Sequence, residues 1–283
     1  MSDEQRPVYV PQGVDLEKPN AARTYDWYLG GTTNWAVDRE FGKQVLQAFP
    51  SLKPLARINR EFLRRAVRYC AAQGIHQFLD IGSGVPTAGN VHEVAEEVDP
   101  TSRVVYVDNE PVAVAHSKVL LEQRGDPRRH ATINADLRDP EHLWNEATAT
   151  GVLDPNEPMA LLMVAVLHFI PPGAGAEEAV ARYKELLPSG SYLVVSHATN
   201  DGVPPHLAAE LGAAEERYKR ANTPVGYRTR EQFSAFFDGF ELVEPGVVWF
   251  PEWHLDDVDS ELSAEWAHDP PSSCGFVGVA RKP

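Results

Sequence analysis

A series of short, continuously apolar runs, each closed by glycine or a polar residue, leaves few folds open to this chain. Residues 77–81 are closed by Gly82-Ser83-Gly84, residues 103–107 by Asp108, residues 131–135 by Asp136, residues 159–167 by His168 and residues 191–196 by His197. Continuity rather than strict alternation marks strands buried on both faces of a sheet. Between these runs, residues 90–97, 111–123, 140–148 and 177–187 repeat their apolar positions at helical spacing. Strands and helices alternating at this length imply right-handed crossovers, so the expected fold is α/β, a doubly wound, mostly parallel Rossmann-like sheet.

Three helical patterns precede the first strand: residues 21–29, ending at Gly30-Gly31, residues 35–49, stopped by Pro50, and residues 54–73, stopped by Gly74. They predict a helical cover over residues 20–73, behind a polar, proline-containing arm of residues 1–19. After the last parallel strand, residues 205–220 and 229–237 read as helices, the second capped by Thr229. Residues 240–243, 247–250 and 275–280 read as strands, the last two adding an antiparallel C-terminal edge, with an acidic, tryptophan-containing insertion at 251–273. No linker isolates a second unit, so residues 20–283 are expected to form one domain.

Composition removes several classes of function. The net charge of -15, with 26 lysines and arginines scattered along the chain, opposes binding to nucleic acid or anionic lipid. The longest apolar run, 159–167, is too short to cross a bilayer, and residues 1–11 are acidic and polar where a secretory signal would be apolar. With only Cys70 and Cys274, neither a disulfide scaffold nor a cysteine-rich zinc cluster is available, and a cytoplasmic location is expected. His254, Asp256, Asp257 and Asp259 read as a solvated acidic loop rather than a metal site, and Trp249, Phe250, Trp253 and Trp266 as packing or an aromatic pocket.

Ligands of open α/β sheets collect beyond the C-terminal ends of the strands. There the chain offers Asp80, Gly82, Ser83 and Gly84, where glycine lets the backbone turn close to a ligand, then Asp108 and Asn109, with a carboxylate suited to the hydroxyls of an adenosine ribose. Asp136 can accept from an adenine amino group and the Leu137 backbone can meet a ring nitrogen, while Val164 to His168 supply a wall. The order of these residues along successive strand ends outlines adenosine recognition. A dinucleotide loop would want glycine or alanine at the third position of its motif, where Thr87 stands, which disfavours NAD.

At these residues the chain resembles the class I S-adenosylmethionine-dependent methyltransferases, with Asp80 to Gly84 similar to their glycine motif and Asp108 to their ribose-binding acid. More narrowly it resembles the actinobacterial S-adenosyl methyltransferase family across residues 20–280, through ARTYDWYLGG at Ala22 to Gly31, Asn34 through Asp38 and Arg39, RINR at Arg57 to Arg60, and the Asp80 loop. Trp35 departs from the phenylalanine expected there. The resemblance implies a seven-stranded sheet under an N-terminal helical cover, S-adenosyl-L-methionine as cofactor and a small-molecule methyl acceptor. It brings Arg60 toward the cofactor's carboxylate, and Tyr25, Tyr28 and Asn34 toward the substrate. His168 is the candidate general base and His197 a second candidate on the substrate side, although transfer needs no base when the acceptor is intrinsically nucleophilic. An NAD-dependent oxidoreductase and a non-catalytic, cofactor-responsive interaction protein are the alternatives.

Overall fold

The computed structural model describes Asp15 and residues 17–86, 89–255 and 261–283. Most of the expected arm, Thr87, and the acidic residues Asp256, Asp257 and Asp259 lie outside the described residues. Three helices come first, α1 (Ala21–Tyr28), α2 (Ala36–Ala48) and α3 (Leu52–Ala72). The alternating region then runs β1 (Gln77–Ile81), α4 (Val91–Glu96), β2 (Arg103–Asp108), α5 (Pro111–Arg124), β3 (His130–Asn134), α6 (Pro140–Ala149), β4 (Ala160–Val164), α7 (Ala176–Leu186) and β5 (Tyr192–Ala198). The C-terminal part adds α8 (Pro205–Arg220), α9 (Arg230–Ser234), β6 (Glu241–Leu242), β7 (Val248–Trp249), α10 (Glu261–Trp266) and β8 (Gly275–Arg281).

The strands form one sheet in the order β3-β2-β1-β4-β5-β8-β6. All pairs from β3 to β5 are parallel, and β8 runs antiparallel to β5. The edge beyond β8 is split between β6 and β7, which pair with its two ends in antiparallel register. Short, interrupted strands at an edge offer little template for another chain.

Side chains of the central strands alternate between two cores, as a pleated strand requires. Phe78, Val104, Leu162 and Val194 face the core that holds α3, α4 and α8, while Leu79, Val105, Leu161 and Leu193 face the one that holds α6 and α7. Burial on both faces explains why these strands read as unbroken apolar runs. The run expected to continue to residue 167 stops as a strand at Val164. Ala165 takes a φ of 57° and Leu167–Phe169 forms a 3-10 turn, yet Leu167 still points into the α6–α7 core and so keeps the apolar pattern going past the strand.

The cover helices are anchored by buried charge. Arg23 donates from Nε to Asp38 at 2.9 Å and from Nη1 to Glu110 at 3.3 Å, joining α1 to the start of α2 and to the N-cap of α5. The start of the 251–273 insertion packs inward: Trp253 is fully buried with its ring edge-on to Phe62, and Arg65 of α3 donates to the carbonyls of Phe250 and Trp253. Its tryptophans thus serve packing, and α10 is a helix that the acidic composition did not suggest.

Thr229 caps α9 as expected, accepting from the Gln232 N–H while the Gln232 side chain accepts from the Thr229 N–H. Removing such a cap costs about 1 kcal/mol. Thr229→Ala is expected to lower stability by about that much in urea unfolding, with the denaturant slope unchanged.

Candidate active site

The C-terminal ends of β1, β2 and β4 open into a crevice of about 420 Å³, roofed on one side by α1 and α3. Its floor is the glycine turn after β1. Gly82 and Ser83 donate to the Val107 carbonyl at 2.8 and 3.0 Å, which pins the turn to β2. Gly82 has a φ of 74°, and a Cβ there would lie 2.4 Å from Val166 Cγ2; Gly84 has a φ of 67°. A side chain at residue 82 would therefore be strained in the backbone and would push the cavity wall. Gly82→Ala is expected to cost about 1–3 kcal/mol, read from chemical unfolding without ligand.

Two carboxylates meet at this floor. Asp80 is buried on the cavity wall, and burial pushes its carboxyl up to about 7 against the opposing pull of the Arg60 guanidinium. Asp108 accepts from the Gly84 N–H at 2.7 Å and from the Glu110 N–H at 2.8 Å. Burial raises its carboxyl too, while these N–H groups work to hold it down. An ionised carboxylate has about four lone-pair sites, so Asp108 keeps acceptor capacity toward the cavity. Glu110 also lines the crevice, but its Oε1 is taken by Arg23 and the Val112 N–H.

Of the residues singled out from the sequence, Tyr25, Arg60, Asp80, Gly82, Ser83, Gly84, Asp108, Asn109, Asp136, Leu137 and Val164 line the crevice together. Asp136 does so already paired: it accepts from Arg138 Nε at 3.0 Å and from Nη2 at 2.5 Å. Arg60 reaches the Gly89 carbonyl at 3.3 Å.

A second, apolar chamber of about 100 Å³ adjoins the crevice, and Tyr25, Asn59, Ala165 and Phe169 line both. Tyr28 and His168 belong to this chamber rather than to the crevice. The Tyr28 and Tyr218 hydroxyls are hydrogen-bonded at 3.3 Å, and His168 Nδ1 is buried with no hydrogen-bond partner among the described residues. Burial and the nearby Arg228 charge push the His168 imidazole down to about 4.

Asn34 and His197 lie elsewhere. Asn34 is absent from the lining of both cavities; its Nδ2 donates to Asp26 Oδ2 at 2.7 Å and to the Gly31 carbonyl at 2.9 Å, so it shapes the loop between α1 and α2. His197 is 1% exposed, its Nδ1 donating to the Ala198 carbonyl at 2.6 Å and its Nε2 accepting from Arg228 at 2.8 Å. With both ring nitrogens committed and burial holding it neutral, His197 has no proton site for a substrate.

The bonds that join cover and sheet leave little local signal in the sequence. The Ala165 N–H donates to Ser196 Oγ at 2.9 Å, Ser196 to Asn59 Oδ1 at 2.6 Å, Asn59 Nδ2 to the Tyr25 hydroxyl at 2.9 Å, and that hydroxyl to the Ala56 carbonyl at 3.0 Å. This relay fixes Tyr25 and the left-handed Ala165 where the two cavities meet. Arg228, buried and paired with Glu177, donates to the Leu167 and Ile170 carbonyls and so holds the loop that carries His168.

The chain is similar to known proteins over nearly its whole length. The family model for S-adenosyl methyltransferases matches residues 8–283. A DUF574 family protein from Streptomyces avermitilis is 38% identical, covering 95% of this chain and 99% of its own, with a TM-score of 0.86. A protein from Thermobifida fusca is 36% identical over 97% of this chain and 99% of its own, with a TM-score of 0.84. An O-methyltransferase family protein from Burkholderia thailandensis, 12% identical over 94% of this chain and 64% of its own with a TM-score of 0.52, shares the fold alone. No curated protein matches the chain. Covered almost end to end by the family model, and by structures more than a third identical to it, the chain belongs to the S-adenosyl methyltransferase family, with S-adenosylmethionine as its cofactor.

Proposed function

We propose that the chain binds S-adenosylmethionine across the turn from Gly82 to Gly84 and methylates a small molecule held in the apolar chamber, with His168 receiving the proton of the reacting atom. One observation carries this reading: Tyr25, Asn59, Ala165 and Phe169 line crevice and chamber alike, so a group at the inner end of the crevice faces a compartment of mainly apolar walls. The crevice falls within the roughly 300–1,000 Å³ of cofactor sites.

Its residues suit the cofactor's functional groups. A buried carboxylate on the wall calls for a cation, and Asp80 would hold the ammonium. Arg60 offers two donors to a carboxylate, Asp108 and Asn109 face the ribose, Asp136 and Leu137 lie at the adenine end, and Val164 and Ser83 complete the walls. When bound, S-adenosylmethionine supplies a methyl group on positively charged sulfur, which keeps the electron pair of the broken C–S bond while an acceptor lone pair forms the new bond.

The protein positions the acceptor, excludes water and receives the proton. His168 is a weak base, but a hydroxyl becomes strongly acidic as its oxygen acquires a bond to carbon, so a weak base suffices late in transfer. Because the imidazole is pushed down to about 4, it is neutral and competent throughout the neutral range and loses capacity only as pH falls through about 4. At saturating cofactor, and with an acceptor that does not itself titrate, kcat is expected to be flat between about pH 6 and 8. A rise in kcat through about pH 6.5 contradicts a His168 held this way.

The net charge of -15 and two buried free cysteines support a cytoplasmic enzyme that acts on a diffusible acceptor rather than on nucleic acid. Among the described residues no helix is long and apolar enough to cross a membrane. Residues 20–283 act in this reading as one unit, with 20–73 as its cover. Purified protein incubated with methyl-labelled S-adenosylmethionine and fractionated small-molecule extract is expected to move label into an organic-soluble product. Tight cofactor binding with no labelled product from any fraction would favour a non-catalytic role.

A further inference from the structure

The apolar chamber also constrains its occupant. Its walls are aromatic and aliphatic, with Phe49, Phe169, Tyr218, Tyr227 and Phe250 among them, and none of its described lining residues is an aspartate, glutamate, lysine or arginine. An ion moved there from water would lose its hydration with no countercharge on the chamber's own walls, the nearby Arg228 being already paired with Glu177, at a cost of several kcal/mol. The polar groups on the walls are mostly committed to one another: Asn59 to Ser196 and Tyr25, the Tyr227 hydroxyl to the Leu211 carbonyl, and Tyr28 to Tyr218. The imidazole of His168 is the exception, with a buried Nδ1 that has no partner among the described residues.

Size narrows the class further. At about 100 Å³ the chamber matches one ring rather than a fused system, since apolar cavities of roughly 150 Å³ take up benzene. Aromatic walls favour a planar ring through edge-to-face contacts. We infer that the methyl acceptor is an uncharged, single-ring molecule bearing a hydroxyl, with the ring among Phe169, Tyr218 and Phe250 and the hydroxyl donating to the His168 imidazole. This inference rests on the methyltransferase reading and names the substrate class of that same site.

Binding tests it independently of turnover. Protein saturated with S-adenosylhomocysteine is titrated at pH 7 with phenol, benzoate, benzylammonium and benzene, and bound ligand is read by saturation-transfer NMR. Phenol is expected to bind at least about tenfold more tightly than either ion, and more tightly than benzene by a hydrogen bond's worth, about threefold to tenfold. His168→Phe is expected to abolish the preference for phenol over benzene. Ala214→Phe, which fills the chamber from α8, is expected to abolish phenol binding while S-adenosylhomocysteine affinity stays within twofold; the wild-type ligand series stands without either variant. Binding of benzoate or benzylammonium as tight as that of phenol overturns the inference, as does phenol binding that survives Ala214→Phe in a folded variant. Failure of S-adenosylhomocysteine to bind overturns the methyltransferase reading with it, whereas cofactor binding without phenol binding overturns only the acceptor class.

Discussion

Asp108→Ala is expected to weaken S-adenosylmethionine and S-adenosylhomocysteine binding by at least about a hundredfold in calorimetric titration. The carboxylate has two jobs. It receives the Gly84 N–H at 2.7 Å and the Glu110 N–H at 2.8 Å, which shapes the glycine turn, and it lines the crevice in which we propose the ribose sits. A hydrogen bond to a charged group contributes about 1.5–3 kcal/mol, so losing the ribose contact and leaving the turn unpinned together exceed the roughly 2.7 kcal/mol that a hundredfold represents. Glu110 is tethered through its Oε1 to Arg23 and the Val112 N–H and is not expected to take over the role. Asp108→Asn, which keeps one oxygen acceptor, is expected to lose less. An alanine variant within about threefold of wild type would remove Asp108 from the cofactor site.

Asp80→Asn is expected to make the ligand-free protein more stable above pH 7 while costing it at least about tenfold in cofactor affinity. The folded protein holds the Asp80 carboxyl up at about 7, above its ordinary value of 3.8. Between those values the native state retains a proton that the unfolded chain has released. Stability from this group is therefore greatest below pH 4, declines as pH rises, and is fully lost above about pH 7. At 1.36 kcal/mol per pKa unit the ionised residue costs up to about 4 kcal/mol, part of which the neutral amide recovers. Urea unfolding at pH 5 and pH 8 checks this: the advantage of the variant should grow with pH and then level off. The same carboxylate becomes useful when a cation arrives, so wild-type cofactor affinity should rise with pH toward about 7 and the variant's should not. A variant that is less stable at pH 8 and binds cofactor normally would contradict both parts.

What could be read from the sequence depended on how far apart the interacting residues stand. The strands announce themselves because burial on both faces demands unbroken apolar runs, and the turn after β1 because a φ of 74° at residue 82 suits glycine. Thr229 was legible as a cap because its partner, Gln232, lies one helical turn away. Asn34 reads from its motif as facing substrate, and its neighbours give no sign that Asp26, eight residues back, takes its amide. Likewise, the position of His197 at a strand end suggested a site residue, but its Nε2 is occupied by Arg228 from 31 residues away. The bond from Ser196 to Asn59 spans 137 residues, and no local pattern encodes it. Strand-end placement thus locates the crevice, whereas the folded chain decides which polar groups remain available to a ligand.

A crystal structure with S-adenosylhomocysteine bound tests most directly whether the crevice holds the cofactor as described. Both ribose hydroxyls should lie about 2.6–3.2 Å from Asp108, with sulfur pointing past Tyr25 and Ala165 toward the apolar chamber. A sugar bound away from Asp108, or a sulfur turned away from the chamber, would contradict the assignment.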